Sequence, residues 1–140
     1  MAESEAPHRK AVELKPDAPL LRINLGQAIL ALDNGKRADE AIVELRRAVA
    51  AERNNAIAWR LLAQGYDRTK KPGLARLASA EAHFAVGDEK QAKVFGMRAR
   101  EQLDRGSPEW RRATDIVLAS EPSREDLREI ARDDAQLSAR

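Results

Sequence analysis

Residues 54–66 read NNAIAWRLLAQGY, and they carry the clearest helix-packing pattern in the chain. The Asn-Asn pair is typical of a break before a helix, because short polar side chains favour turns and helix starts. It is followed by the large residues Trp59 and Tyr66 and, between them, by Leu62 and Ala63. Small residues suit positions where two helices cross closely, and large residues suit positions where a gap must be filled. The stretch therefore predicts a helix that packs against other helices.

The composition extends this prediction to the whole chain. Hydrophobic residues make up 43% of the 140 residues, but aromatic residues only 4%. The apolar side chains are mostly Ala and Leu, with few of the Val and Ile that favour strands. A chain of this length is expected to form one domain with a buried core. We predict an all-α fold.

The same counts exclude several classes of protein. Without cysteine there is no disulfide framework, thiolate zinc site, iron–sulfur cluster or cysteine nucleophile. No apolar run approaches the roughly 18 residues of a membrane span, so we expect no membrane insertion. The net charge is only +2, and the most basic stretch, residues 59–76, is short and holds five cations. We therefore expect no nucleic-acid partner.

Glycine, proline and Asn-Asn punctuation divides the chain into predicted helices, which are expected near residues 5–15, 18–33, 38–53, 56–69, 73–86, 89–104, 108–120 and 123–137. The last of these follows Ser123, which with Asp126 has the form of a capping box. Its composition is equally consistent with a mobile tail, because chain termini are poorly ordered unless they are tied down. Residues 121–140 are therefore predicted to be either a C-terminal helix or a mobile end.

A similar set of residues returns at a period near 34, and this pattern resembles the tetratricopeptide (TPR) repeat, a helix–turn–helix unit. Trp59, Leu62, Ala63 and Tyr66 match its first helix, and Gly87-Asp88 followed by Ala92 matches its turn into a second helix. The resemblance implies a right-handed superhelix of antiparallel helix pairs. Its implied division is a TPR-like domain over 1–120, with a remnant second helix at 5–17, repeats at 18–55 and 56–88, and a last repeat helix with a capping helix at 89–120.

The repeat pattern has two departures. Arg22 stands where the TPR pattern has Trp, and the turn over residues 32–37 is three residues longer than the standard turn. The helix near 73–86 fits a second-helix role when counted from Trp59 and a first-helix role when counted from Gly87. We therefore expect the repeat phase to slip there. Because the chain starts within a repeat, whose apolar face would be uncovered, it is expected to be part of a longer protein.

The order of the segments AVELKPDAP, GLARLASAEAHFAVGD and GSPEWRRATDI is similar to the C-terminal TPR half of bacterial zinc metallopeptidases with an HExxH catalytic domain. The resemblance covers roughly residues 8–119. It implies a catalytic domain before Met1, a periplasmic location, and that catalytic domain or its substrates as partners. Without the resemblance the cytoplasm is the alternative. No stretch here matches HExxH, so no zinc ligand is carried over.

The residues offer little for catalysis. The two histidines, His8 and His83, lack a histidine four residues away that could complete a zinc site on one helix face. No GxSxG, GxxxxGK[ST] or GxGxxG motif is present. We expect this chain to use no metal or cofactor and not to be an enzyme, and we expect His83 to be packed against its neighbours.

Repeats of this kind offer an extended concave groove for a protein or peptide partner. The positions that line the groove in TPR domains correspond here to Asn24, Gln27, Arg60, Gln64, Asp67, Arg68, Glu81, Arg111 and Arg112. Arg60 and Gln64 lie one turn apart and could hold a carboxylate or a peptide backbone. The alternative is that Arg60 and Arg68 are ordinary solvated helix positions.

Two functions follow from this sequence. The first is a non-catalytic protein-interaction module. The second is a self-associating scaffold, a homodimer in which exposed end helices pair between copies.

Overall fold

The computed structural model describes residues 2–32 and 36–139. Within these ranges the chain is helical and contains no strand, so the predicted all-α fold is confirmed. The helices are α1 (Ala2–Leu14), α2 (Pro19–Leu30), α3 (Ala38–Ala51), α4 (Ala56–Arg68), α5 (Pro72–Ala85), α6 (Glu89–Gln102), α7 (Pro108–Leu118) and α8 (Arg124–Ser138). Each matches a predicted helix to within a few residues. The middle of the predicted long turn, residues 33–35, lies outside the described residues.

Several helices begin where a polar side chain replaces the missing backbone partner. The Asn55 side chain accepts a hydrogen bond from the Ala58 amide at 3.1 Å, and Asp88 and Ser107 do the same at the starts of α6 and α7. Ser123 and Asp126 form a complete capping box, with both hydrogen bonds at 3.0 Å. These caps satisfy amides that have no partner within the helix, and they explain why the starts of these helices were predictable.

The helices from α1 to α7 pack against one another in chain order. Helices separated by one intervening helix also come into contact, as α2 does with α4 and α5 does with α7. The buried apolar residues form two clusters, one contributed by α1 to α5 and the other by α5 to α7. Small residues allow the close crossings: a Cβ added to Gly26 would lie 2.7 Å from Leu45 Cγ.

The repeat pattern predicts a buried side chain at Trp59 and at nine further positions, and these nine are buried, namely Ala41, Leu45, Ala48, Leu62, Ala63, Tyr66, Ala92, Ala99 and Trp110. Trp59 is only partly buried. Its indole Nε1 donates a hydrogen bond to the Arg53 carbonyl at 2.7 Å. One edge of the ring therefore stays near the surface, because the N–H needs an acceptor that the apolar core does not offer.

Arg22, at the position where the TPR pattern has Trp, forms a polar bridge. Its Nε donates to the Pro16 carbonyl at 2.9 Å, and its Nη1 donates to the Glu44 carboxylate at 2.5 Å. The side chain thus joins α2 to α3 and to the turn before α2. The Arg22–Glu44 ion pair therefore connects α2 and α3 at the position where the TPR pattern has a large aromatic side chain.

Residues 121–140 were predicted to be a helix or a mobile end, and the described part contains the helix α8. Ile130 is the one buried residue of that helix, at 5% exposure. The contacts that hold α8 are therefore mostly polar, and they are described below. None of the described helices is both long enough and apolar enough to span a membrane.

Candidate binding surface

The predicted groove residues on α2 line an open cleft. Asn24 and Gln27 border a cleft of about 380 Å³, together with His8 from α1 and the small residues Ala28 and Ala31. The side-chain amides of Asn24 and Gln27 are thus the main polar groups of this cleft besides the His8 imidazole. Because an amide both donates and accepts hydrogen bonds, this cleft can hold a backbone segment in more than one orientation.

A larger cleft of about 680 Å³ lies where the start of α4 meets the end of α5, and we call it the α4–α5 cleft. It is lined by the predicted residue Arg60 and by Glu52, Arg53, Asn54, Asn55, Ala56, Ile57 and Val86. Ile57 is 55% exposed and Val86 is 67% exposed. Aliphatic surface beside two guanidinium groups suits a carboxylate that neighbours an apolar side chain.

Gln64 and Asp67 continue the exposed face of α4 beyond the α4–α5 cleft. Both are exposed, as is Arg60. Residues 60, 64 and 67 are spaced by four and three, so they lie on one side of the helix. The predicted side chains of α4 therefore form a polar stripe that begins in the cleft.

Arg68 lies at the end of the same helix, but its guanidinium is engaged within the chain. Nη1 donates to the carbonyl of Leu30, in the last turn of α2. The last four carbonyls of a helix lack intrahelical partners, and a cation is favourable there. Arg68 thus connects α4 to α2.

The structure brings Glu81 and Arg112 together, 31 residues apart in sequence. Arg112 donates from Nη2 to Oε1 at 2.6 Å and from Nε to Oε2 at 3.1 Å. The Glu81 side chain is only 5% exposed, and Arg53 Nη2 lies 3.5 Å from the same carboxylate. The hydrogen bonds that Arg112 donates to Glu81 raise the pKa of Arg112. The pair joins α5 to α7, as expected for a bidentate contact.

Arg111, the last predicted groove residue, is exposed, and its Nε donates to the Gly106 carbonyl at 3.3 Å. Arg111 and the Glu81–Arg112 pair involve α5, α7 and the turn before α7, whereas Asn24, Gln27, Arg60 and Gln64 lie on α2 and α4. We call these last four residues the α2–α4 surface. Each of these four side chains borders a cleft or, in the case of Gln64, extends the polar stripe of α4.

The histidines have different surroundings. His8 lines the cleft on α2. The His83 ring stacks on Phe95, with ring centroids 5.3 Å apart, and its Nδ1 lies 3.4 Å from the Asp88 carboxylate. His83 is therefore packed against its neighbours, as expected. Among residues 2–32 and 36–139, no three His, Asp or Glu side chains are grouped to hold a metal ion.

Arg53 and Val86 are among the lining residues of the α4–α5 cleft that were not predicted. Arg53 lies in the turn before α4, and Val86 ends α5, so neither occupies a first-helix position of the repeat pattern. No local sequence signal marks Arg53. The position of Val86 directly before the Gly87-Asp88 turn is a weak signal that this valine lies at the end of a helix.

Comparison of the chain with protein-family models and with curated proteins finds no match. The resemblances to TPR repeats and to the metallopeptidase TPR half therefore rest on the residues quoted for them above. The α2–α4 surface and the α4–α5 cleft rest on the geometry of the described residues.

Proposed function

We propose that this chain is a non-catalytic interaction module that binds a segment of another protein on the α2–α4 surface. The observation that carries the proposal is the α4–α5 cleft, where Arg60 lies beside the exposed aliphatic side chains of Ile57 and Val86. Guanidinium, amide and aliphatic groups side by side are suited to holding a ligand and supply no nucleophile or acid–base pair.

The chemistry of the surface indicates the kind of segment. An exposed guanidinium recognises a carboxylate, and the neighbouring Ile57 and Val86 can cover an aliphatic side chain. Gln64, Asn24 and Gln27 can bond the backbone amides and carbonyls of an extended peptide. The proposed ligand is a peptide segment that carries an acidic residue next to an aliphatic one.

We also propose that the helix pairs stack as TPR repeats do. The α2–α4 and α5–α7 contacts support this, because stacked helix pairs bring helices two apart into contact. The α5–α7 contact favours the first-helix role for α5, with the expected slip in phase between α4 and α5. Membership of a larger bacterial periplasmic zinc protease rests on the sequence resemblance alone.

The second candidate function, self-association, has one observation in its favour. Leu14, at the end of α1, is 74% exposed, and Leu20, near the start of α2, is 65% exposed. Exposed aliphatic residues close together in the chain can pair with the same surface of a second copy. A concentration-dependent mass in light scattering would favour this function, and a monomer would favour the interaction module.

The test selects peptides from a displayed random library on the wild-type chain and measures their affinity by calorimetry. The variant combines Arg60→Glu with Gln64→Ala. We expect it to lose about 2 kcal/mol of binding free energy, roughly thirtyfold in Kd, because acceptors lose their donors and a carboxylate meets a like charge. Thermal stability should change by less than about 0.5 kcal/mol, since both residues are exposed.

The matched control combines Arg46→Glu with Arg47→Glu on the exposed side of α3. The control lowers the net charge of the chain by at least as much as the binding variant does, but it leaves the α2–α4 surface intact. An equal loss in both variants would show nonspecific charge attraction. A loss in the control alone would place the binding surface on α3 and contradict the proposal.

A further inference from the structure

Arg100, on α6, is a buried cation whose counter-ion comes from the last helix. Its side chain is 2% exposed, and its Nη2 donates to Asp133 of α8 at 2.8 Å. Its Nη1 donates to the Thr114 hydroxyl, and its guanidinium carbon lies 4.2 Å from the centre of the buried Trp110 ring. Arg100 Nε has no hydrogen-bond partner in the part of the chain that the structure describes.

A second cation faces the same carboxylate. Nη2 of Arg105, in the turn before α7, lies 3.4 Å from the other oxygen of Asp133, and its Nη1 donates to Gln136. Burying a charge is costly unless an opposite charge and hydrogen bonds accompany it. While α8 covers Arg100, an acid at the position of Asp133 is therefore needed.

The apolar part of the α8 contact is small. Ile130 is buried, and Leu137 packs against Gly106, whose added Cβ would lie 3.7 Å from Leu137 Cδ2. Leu127, on the same helix, is 44% exposed. The docked face of α8 thus consists of the aliphatic Ile130, the acid Asp133 three residues later, and the aliphatic Leu137 four residues after that.

The connection between α7 and α8 contains an uncommon backbone conformation followed by a proline. Glu121 has φ of +50°, a backbone conformation that non-glycine residues seldom adopt, and Pro122 follows it. Lys93 Nζ donates to the Glu121 carbonyl at 3.1 Å. Glu121, in an uncommon backbone conformation, and the proline after it thus lie between α7 and α8, and the partly buried Lys93 connects them to α6.

We propose that α8 is the resident occupant of a helix-binding site formed by α6 and α7, and that when α8 lifts this site takes an acidic amphipathic helix from a protein partner. The partner is defined by the face that α8 presents, an aliphatic residue, a carboxylate at +3 and an aliphatic residue at +7. Arg100 and Arg105 select the carboxylate, and α8 competes with the partner for them. The site lies apart from the α2–α4 surface and is independent of its function.

The test uses the full chain and a fluorescent peptide with the sequence of residues 121–139. Asp133→Asn removes the counter-ion from the tethered helix, and Ile130→Ala removes its buried apolar contact but keeps the acid. Hydrogen exchange should show α8 amides losing protection in both variants while α5 amides keep theirs. Anisotropy should show the peptide binding both variants at least about tenfold more tightly than wild type, because a tethered competitor occupies most of the wild-type sites.

Two controls link this binding to the carboxylate site. A peptide with Asp133→Asn should lose binding to the released chains. Arg105→Ala, at an exposed side chain, should weaken the binding of the unmodified peptide when it is combined with Ile130→Ala.

The proposal is overturned if α8 amides stay equally protected in both variants, or if the released chains fail to bind the peptide. Equal binding of the two peptides would likewise show that the carboxylate is not recognised. A wild-type dimer that the peptide separates would identify a second copy of α8 as the occupant and would overturn the assignment to another protein.

Discussion

Gly96 is the position where the packing of α6 against α7 can be tested most sharply. A Cβ added there would lie 2.7 Å from Val117 Cγ2 and 3.3 Å from the Ala113 carbonyl oxygen. Val117 is fully buried, and a β-branched side chain in a helix has one strongly preferred rotamer. The valine methyl therefore cannot turn aside, and the helices must separate to admit an alanine.

The magnitude for Gly96→Ala is the difference of two opposing effects. Overpacking a tight core contact costs about 1–3 kcal/mol. Alanine in place of glycine in a helix interior contributes up to about 1 kcal/mol in the favourable direction. We expect Gly96→Ala to destabilise the fold by about 0–2 kcal/mol, a range that a single variant would not resolve from other effects.

The double variant isolates the contact. Val117→Ala removes the methyl at 2.7 Å and leaves the Ala113 carbonyl oxygen at 3.3 Å, so Gly96→Ala in that background should range from neutral to stabilising by about 1 kcal/mol. The two changes should therefore couple by about 1–3 kcal/mol. Urea unfolding followed by circular dichroism at 222 nm gives the four free energies of unfolding. A coupling energy within about 0.5 kcal/mol of zero would refute the close α6–α7 crossing.

The remaining predictions concern charge and packing elsewhere. Hydrogen bonds from Arg37, and to a smaller extent from Arg9, hold the pKa of Glu5 at about 2, below its usual 4.5. The ionised carboxylate therefore stabilises the fold fully above about pH 4.5. This contribution is lost as the pH falls through about 2. Glu5→Gln should therefore lower the Tm at pH 7, and a difference from wild type that persists undiminished at pH 2 would contradict this. Ala92→Leu and Ala63→Leu should each cost about 1–3 kcal/mol by overpacking, since both alanines are buried, and unchanged melting of both variants would contradict the repeat register.

The helices were predictable because their signals are local. Asn55, Asp88 and Ser123 cap helices from positions that are next to those helices in sequence, and a cap needs only the amides three residues ahead. The prediction for α8 left two outcomes, because the capping box says where a helix starts and says nothing of what it docks against. Its docking depends on Arg100, 33 residues before Asp133.

The candidate surface was predictable in part. The periodicity of α2 and α4 places Asn24, Gln27, Arg60 and Gln64 on one side of their helices, and the exposure of Arg60 and Gln64 agrees with that placement. Whether Arg68 would be available was beyond such an argument. Its guanidinium donates to a carbonyl 38 residues earlier in the chain. No sequence pattern gives the distance between the two helices that carry these groups.

The amino-acid sequence alone predicted the all-α class, the positions of the helices and some of the buried alanines, such as Ala41, Ala48 and Ala92, because hydrophobic periodicity, caps and glycine breaks act over a few residues. Which charged side chains form ion pairs within the chain depends on how the helices pack. Glu81 has the same local appearance as any helix acid, yet it is buried against Arg112 of α7. Asp133 has the appearance of a tail acid, yet it neutralises Arg100 in the interior. The physical reason is that an ion pair depends on the distance between two helices and on the water excluded between them, and both arise only when the helices pack.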